Sequence, residues 1–222
     1  MSLKTENVDR VRARFAKETE SHAMELLLDQ GVYRHLKFRR PGTYFVGFDI
    51  VTWPGHLAVS GDMGAAVFSR LHDMFEFFRV PPDMPAKPGE LHINPGYWAE
   101  KCVANDGKKK AFSEDLFHAL VKARFDEYIA ESSDGAEADA ELWDKLNSEV
   151  LAAMNTHEAI AAMDEFESAG SPDFKFVDAW EYASSIEDYT YHFIWRLFAI
   201  AHAVRAYDQH KAPAPAATAQ EG

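Results

Sequence analysis

The stretch YRHLKFRRPGTYFVGFDIVTWPGHLAVSG, residues 33–61, places Pro-Gly pairs at 41–42 and 54–55 between runs rich in aromatic and β-branched residues. Proline presets the backbone for a turn and glycine enters positive φ at no steric cost, so the chain is expected to reverse at both pairs. The intervening runs alternate, which predicts an antiparallel meander of three strands over roughly 33–40, 43–53 and 56–60. The same alternation puts Tyr33, His35, Lys37 and Arg39 on one face of the first strand, and Val32, Arg34, Leu36, Phe38 and Arg40 on the other.

Outside the meander the spacing of apolar residues is helical. Val8, Val11, Phe15, Ala23, Leu26 and Leu27 predict an amphipathic helix from Glu6 to about Gln30, stopped by Gly31. Val67, Phe68, Leu71, Met74, Phe75 and Phe78 predict a buried helix over 65–80. Residues 81–96 are crowded with proline and read as an irregular loop, a short helix is expected near Tyr97, and 104–110 reads as a polar loop. Ser113 is placed to cap a helix reaching Glu131. Further helices are expected over 137–155 and 157–169, then a short one and a long one within 178–210, the last apolar on most of its circumference from Asp188 to Asp208. No repeat period is visible. The expected class is α+β, a small N-terminal antiparallel sheet covered by a largely helical remainder, in a single domain over 4–210. From Lys211 on, alternating Pro and Ala predict a disordered tail, 211–222; MSL and EG at the two ends resemble vector-derived residues and are set aside.

Charge narrows the function classes. The formal net charge of -13 opposes nonspecific binding of the whole molecule to polyanions. Its distribution is uneven: residues 131–168 are dense in carboxylates with Lys145 as their one lysine, whereas 33–40 carry Arg34, Lys37, Arg39 and Arg40 and no carboxylate. No apolar run is long enough to span a bilayer, and the first residues lack the apolar core of a secretory signal, so the expected place is the cytoplasm. The single cysteine, Cys102, excludes an internal disulfide and reads as a small buried hydrophobe.

Several places invite a chemical reading. Asp62, between Gly61 and Gly64, is either a carboxylate presented on a tight turn or a group that satisfies nearby backbone N–H groups. His72 and Glu76, spaced i, i+4 on the expected helix and close to Asp73, would present two metal ligands on one face. With Asp62 or His56 they would form a divalent metal site for hydrolysis. THEA at 156–159 begins like a zinc protease helix, but Ala161 stands where the second histidine belongs, so that reading fails. Tyr191, His192, Trp195 and Arg196 would either line a pocket or pack in the core. Arg34, Lys37, Arg39 and Arg40, interleaved with Tyr33, His35 and Phe38, would contact phosphates while a ring stacks on a base, although alternation splits them over two faces. The acidic helices would suit a basic partner or imitate nucleic acid.

Two stretches, TYFVGFDIVTWPGHLAVSGDMGAAVFSRLHDMFEFF at 43–78 and YTYHFIWRLFAIAHAVRAYD at 189–208, resemble uncharacterised proteins of tailed bacteriophages and prophages. The resemblance implies an accessory protein in a bacterial cytoplasm and brings no activity or catalytic residue. No nucleophile with its base, phosphate loop or paired metal motif is present, so the sequence reads as a binding protein with no cofactor. The expected partner is a nucleic acid or a protein, met through Tyr33, Arg34, Lys37, Arg39 and Arg40. The alternatives are a metal-assisted hydrolase using Asp62, His72 and Glu76, and an acidic inhibitor-like protein acting on a basic target.

Overall fold

The computed structural model describes residues 3–43, 45–80, 90–131, 136–167 and 174–212. Gly42 and Gly55 sit at φ 80° and 79°, and the chain turns back at both Pro-Gly pairs. In chain order the elements are α1 (Leu3–Thr19), β1 (Ala23–Gln30), β2 (Tyr33–Arg39), β3 (Phe48–Trp53), β4 (His56–Gly61), β5 (Ala66–Ser69), α2 (Met74–Phe78), α3 (Pro95–Glu100) and β6 (Cys102–Asn105). There follow β7 (Lys110–Phe112), α4 (Glu114–Glu131), α5 (Ala136–Glu149), α6 (Thr156–Asp164), a 3-10 turn (Ala179–Ser184), β8 (Glu187–Tyr189) and α7 (Tyr191–Lys211). The fold is α+β. Within the stretch read as one domain, the chain divides into two compact units: a sheet unit of Val8–Gly107 and Tyr191–Gly222, and a helical unit of Met1–Asn7 and Lys108–Thr190.

In the sheet unit β1 to β6 form one antiparallel sheet in sequence order. Alternation decides which side is buried. Leu36, Phe38, Phe48, Ile50, Leu57, Val59 and Phe68 are each at most 1% exposed and form the inner face. Full burial of each such side chain stabilises by about 1.5–3 kcal/mol. Their cover includes α7, which is buried continuously from Phe193 to Ala201 and therefore shows little amphipathicity. Trp195 meets Phe48 and Phe15 edge to face, with ring centroids 5.5 and 4.9 Å apart. Edge-to-face geometry sets a positive ring edge against a negative ring face and adds to the area term.

The helical unit is built differently. Phe117, Val121, Leu146, Val150, Met163, Phe166, Phe174 and Phe176 make an apolar cluster. Its helix starts are capped as their sequences demand. Ser113 Oγ accepts from Leu116 N–H at 3.3 Å, and Asn155 Oδ1 from Glu158 N–H at 3.0 Å.

Five expectations need correction. The first helix stops at Thr19, and Ala23–Gln30, read as its continuation, is strand β1. Its Ala, Met, Glu and Leu favour helix, but pairing with β2 from Ala23↔Arg39 to Gln30↔Tyr33 overrides that weak preference. Residues 65–80 do not form one helix: β5 pairs with β4 and β6 first, and only Met74–Phe78 is helical. The third strand starts at Phe48 rather than 43, and the last helix at Tyr191 rather than Asp188, which lies in β8. The loop read over 104–110 gives its ends to β6 and β7. Most of the loop 81–96 and all but the first residues of the tail 211–222 lie outside the described residues.

A candidate binding face on the sheet

The second side of the sheet carries the residues that alternation turns outward, and register arranges them in rows. Pairing of β2 with β3, continued by one residue, brings Tyr33 opposite Trp53; Trp53 pairs with His56, and His56 with Ser69. Three aromatic rings thus follow one another across β2, β3 and β4. The Trp53 and His56 rings are stacked, 5.1 Å between centroids and 7° between planes. His56 Nδ1 lies 3.1 Å from the Pro54 carbonyl oxygen, which can only accept, so this nitrogen is the donor and the ring orientation is fixed.

The next row is apolar in all but one place: Leu28, His35, Val51, Ala58, Val67 and Ala104 pair successively from β1 to β6. A third row holds Glu25, Lys37, Asp49 and Ser60. Here the charges cancel. Arg39 Nη2 lies 2.9 Å from Asp49 Oδ1 as an ion pair whose geometry is not that of a hydrogen bond, and His35 Nε2 lies 3.1 Å from Asp49 Oδ2. Glu25 stands opposite Lys37. Gly47 makes the Arg39 position possible, since a Cβ there would meet the Arg39 side chain at 2.4–2.6 Å. The outer face is therefore aromatic at one end, apolar in the middle and electrically balanced at the other.

Of the proposed basic cluster, Tyr33, Lys37 and Arg39 belong to this face. Arg34 does not. It is 6% exposed on the inner face, where its two terminal nitrogens donate to Asp73 Oδ1 and Oδ2 at 2.9 and 2.8 Å. Its guanidinium lies over the rings of Phe75 and Tyr207, 4.6 and 5.1 Å from their centroids. Burial pulls the Arg34 pKa down, but Asp73 and Tyr207 together outweigh it and leave it raised; Asp73 is pushed up by burial and held lower overall, chiefly by Arg34 and the Phe75 N–H. Asp73 also caps α2 through that N–H, at 2.9 Å. Arg40 is exposed beyond the end of β2.

The residues of the metal reading are not brought together. His72 precedes α2 instead of sharing a helical face with Glu76, because the five-residue α2 begins only after the Asp73 cap. Asp62 is committed to the turn: its Oδ2 accepts from Val46 N–H at 2.6 Å. Val46 is buried at φ 59°, a costly conformation for a β-branched residue, and the carboxylate helps to hold it there. Among the described residues, no group of three or more His, Cys, Asp or Glu side chains is placed to hold a metal ion.

Tyr191 and Trp195 meet at one carboxylate, but His192 and Arg196 do not join them. Tyr191 Oη and Trp195 Nε1 both donate to Glu18 Oε2, at 3.0 and 2.9 Å, and His192 is exposed. Arg196, 1% exposed, donates to the Met63 and Ala65 carbonyls at 3.1 and 3.2 Å and to Asn105 Oδ1 at 2.9 Å. It ties the 61–65 turn to β6. Separately, a cavity of about 400 Å³ beside the C-terminal half of α7 is lined by Phe78, Leu91, Ala201 and Val204, with the ion pair of Arg79 and Asp208 at its wall.

Sequence reasoning missed Val51, Trp53, Ala58 and Val67 as parts of one surface. For Val51, Trp53 and Ala58 the signal was present, since extending the phase of β2 through both Pro-Gly turns selects them; Val67 lies past the further turn at 61–65, in a stretch whose spacing is helical. No family model, curated protein or solved structure matches the chain.

Proposed function

We propose that the protein is a binding module that meets a macromolecular partner through the outer face of its six-stranded sheet. One observation carries this reading: Tyr33, Trp53 and His56 form an aromatic row beside an apolar row on a sheet face that stands open in the described structure. Aromatic groups with apolar surroundings supply most of the energy of specific interfaces, and rings on a sheet also stack on unpaired bases. Because Arg39 pairs with Asp49 and Lys37 stands opposite Glu25, the face would hold its partner by contact and stacking more than by attraction to phosphate. The setting, an accessory protein of tailed phage or prophage in a bacterial cytoplasm, rests on the resemblance alone.

The test is fluorescence anisotropy of labelled single-stranded DNA, duplex DNA and RNA at two salt concentrations, with Trp53→Ala and Lys37→Ala beside the parent protein. Single-strand binding that Trp53→Ala abolishes and salt barely changes supports the face in its nucleic-acid form. Binding that both variants retain places the contact elsewhere and overturns the reading. No binding to any oligonucleotide leaves a protein as the partner.

A second reading has its own support. Counted over its range, the helical unit holds 8 Lys and Arg against 21 Asp and Glu, hence the whole net charge of -13, while the sheet unit holds 15 of each. Such a unit suits a basic protein target, and salt-sensitive binding of a polycationic peptide would be its signature.

A further inference from the structure

We infer that the occupant of the outer sheet face is a second copy of this chain, packed sheet against sheet about a two-fold axis. The inference rests on the reading of that face as the binding surface and names its partner.

Three properties of the face lead to a second copy. The first is size. The sheet has six strands. At about 4.8 Å between strands and about 3.3 Å per residue, a face five residues deep covers roughly 450 Å² of plane. Side-chain relief brings the surface buried by two such faces to on the order of 1,000 Å² or more, where specific interfaces begin.

The second property is charge. Lys37 and Arg39 share the face with Glu25 and Asp49, so two copies meet without net repulsion from the contact itself. A strongly basic face would exclude its own copy. The third is the order of the rows. A two-fold axis across the strands, along the row of His35, Val51, Ala58 and Val67, lays that apolar row on itself. It also exchanges the rows on either side: each Tyr33 ring comes over the Lys37 of the other copy, each Trp53 over the Arg39–Asp49 ion pair, and each His56 over Ser60. Stacked sheets sit about 10 Å apart, a gap that Val, Ala and the aromatic side chains fill from both sides.

The measurement is sedimentation velocity of the full chain from micromolar to near-millimolar concentration, at low and high salt, for the parent, Val51→Lys and Trp53→Ala. Circular dichroism checks that each variant stays folded. A concentration-dependent dimer is expected, weakened at least roughly tenfold by Val51→Lys and clearly by Trp53→Ala. Since each copy carries a net charge of -13, added salt should tighten the dimer, the reverse of its effect on phosphate contacts. A monomer at every concentration, or a dimer that neither variant weakens, overturns the inference. The oligonucleotide titration then separates the two failures: with a monomeric protein, single-strand binding lost in Trp53→Ala keeps the face as a binding surface and removes only the second copy.

Discussion

The two units deal with charge in opposite ways. The helical unit carries the whole net charge of the chain and closes its core with apolar side chains such as Phe117, Leu146, Phe166 and Phe174. The sheet unit is neutral, yet it takes two guanidinium groups inside, Arg34 and Arg196, each at most 6% exposed. Excess charge of one sign is tolerable where it stays in water, while a charge brought inside must meet partners that replace its hydration. Arg34 meets a carboxylate; Arg196 meets two carbonyls and an amide oxygen, and burial pulls its pKa down.

The largest test of this contrast is to break the Arg34–Asp73 pair. Arg34→Ala should cost about 3–5 kcal/mol, because Asp73 is left desolvated with its charge uncompensated. Denaturant unfolding followed at the sheet unit measures it, and a loss below about 1 kcal/mol would place that unit on the same footing as the helical one. Acid comes next. Burial among Phe15, Phe38 and Phe48, helped by Arg205 and His22, lowers the His202 pKa from 6.5 to about 4. The folded state therefore favours the neutral ring. Its contribution is intact above pH 6.5 and is lost as the pH falls toward 4, by about 3 kcal/mol in all. Replacing His202 with Phe or Leu should flatten this part of the pH–stability curve; an unchanged slope would assign it to other groups.

Asp62→Ala removes the acceptor for the Val46 N–H and should destabilise by about 1 kcal/mol. Smallest of all, Glu141→Gln and Asp144→Asn on the exposed side of α5 should change stability by about 0.5 kcal/mol or less. They should still alter elution from an ion exchanger and weaken any polycationic ligand. A large stability loss there would mean that the acidic surface also has a structural task.

What could be read in the sequence follows from how local each signal is. Tyr33–Arg39 and its two successors were legible because alternation and Pro-Gly act within a few residues. Ser113 was in place as a helix start for the same reason, whereas Asn155, read as the end of the preceding helix, caps the next one. Ala23–Gln30 was not, since its residues favour helix and only β2, on the far side of Gly31, makes them a strand. Val67 and Phe68 sat in a helical spacing by accident, and pairing with Ala58 and Leu57 decided otherwise. The site suffered similarly. Parity alone separated Arg34 from Lys37 and Arg39, but the partner that neutralises Arg34, thirty-nine positions away, cannot be found by periodicity.

The insertion of residues 108–190 between β6 and α7 also sets an order of events. Trp195 reaches Glu18 across 177 positions of sequence, and Tyr207 reaches Asp29 across 178. During synthesis the six strands emerge well before the helix that covers them, and the inserted stretch can assemble while the sheet still waits. Contacts so distant in sequence form slowly. Until α7 arrives, Phe38, Phe48, Ile50 and Phe68 lack that cover, which makes the half-made sheet, rather than the finished molecule, the form most exposed to aggregation and to the need for a chaperone.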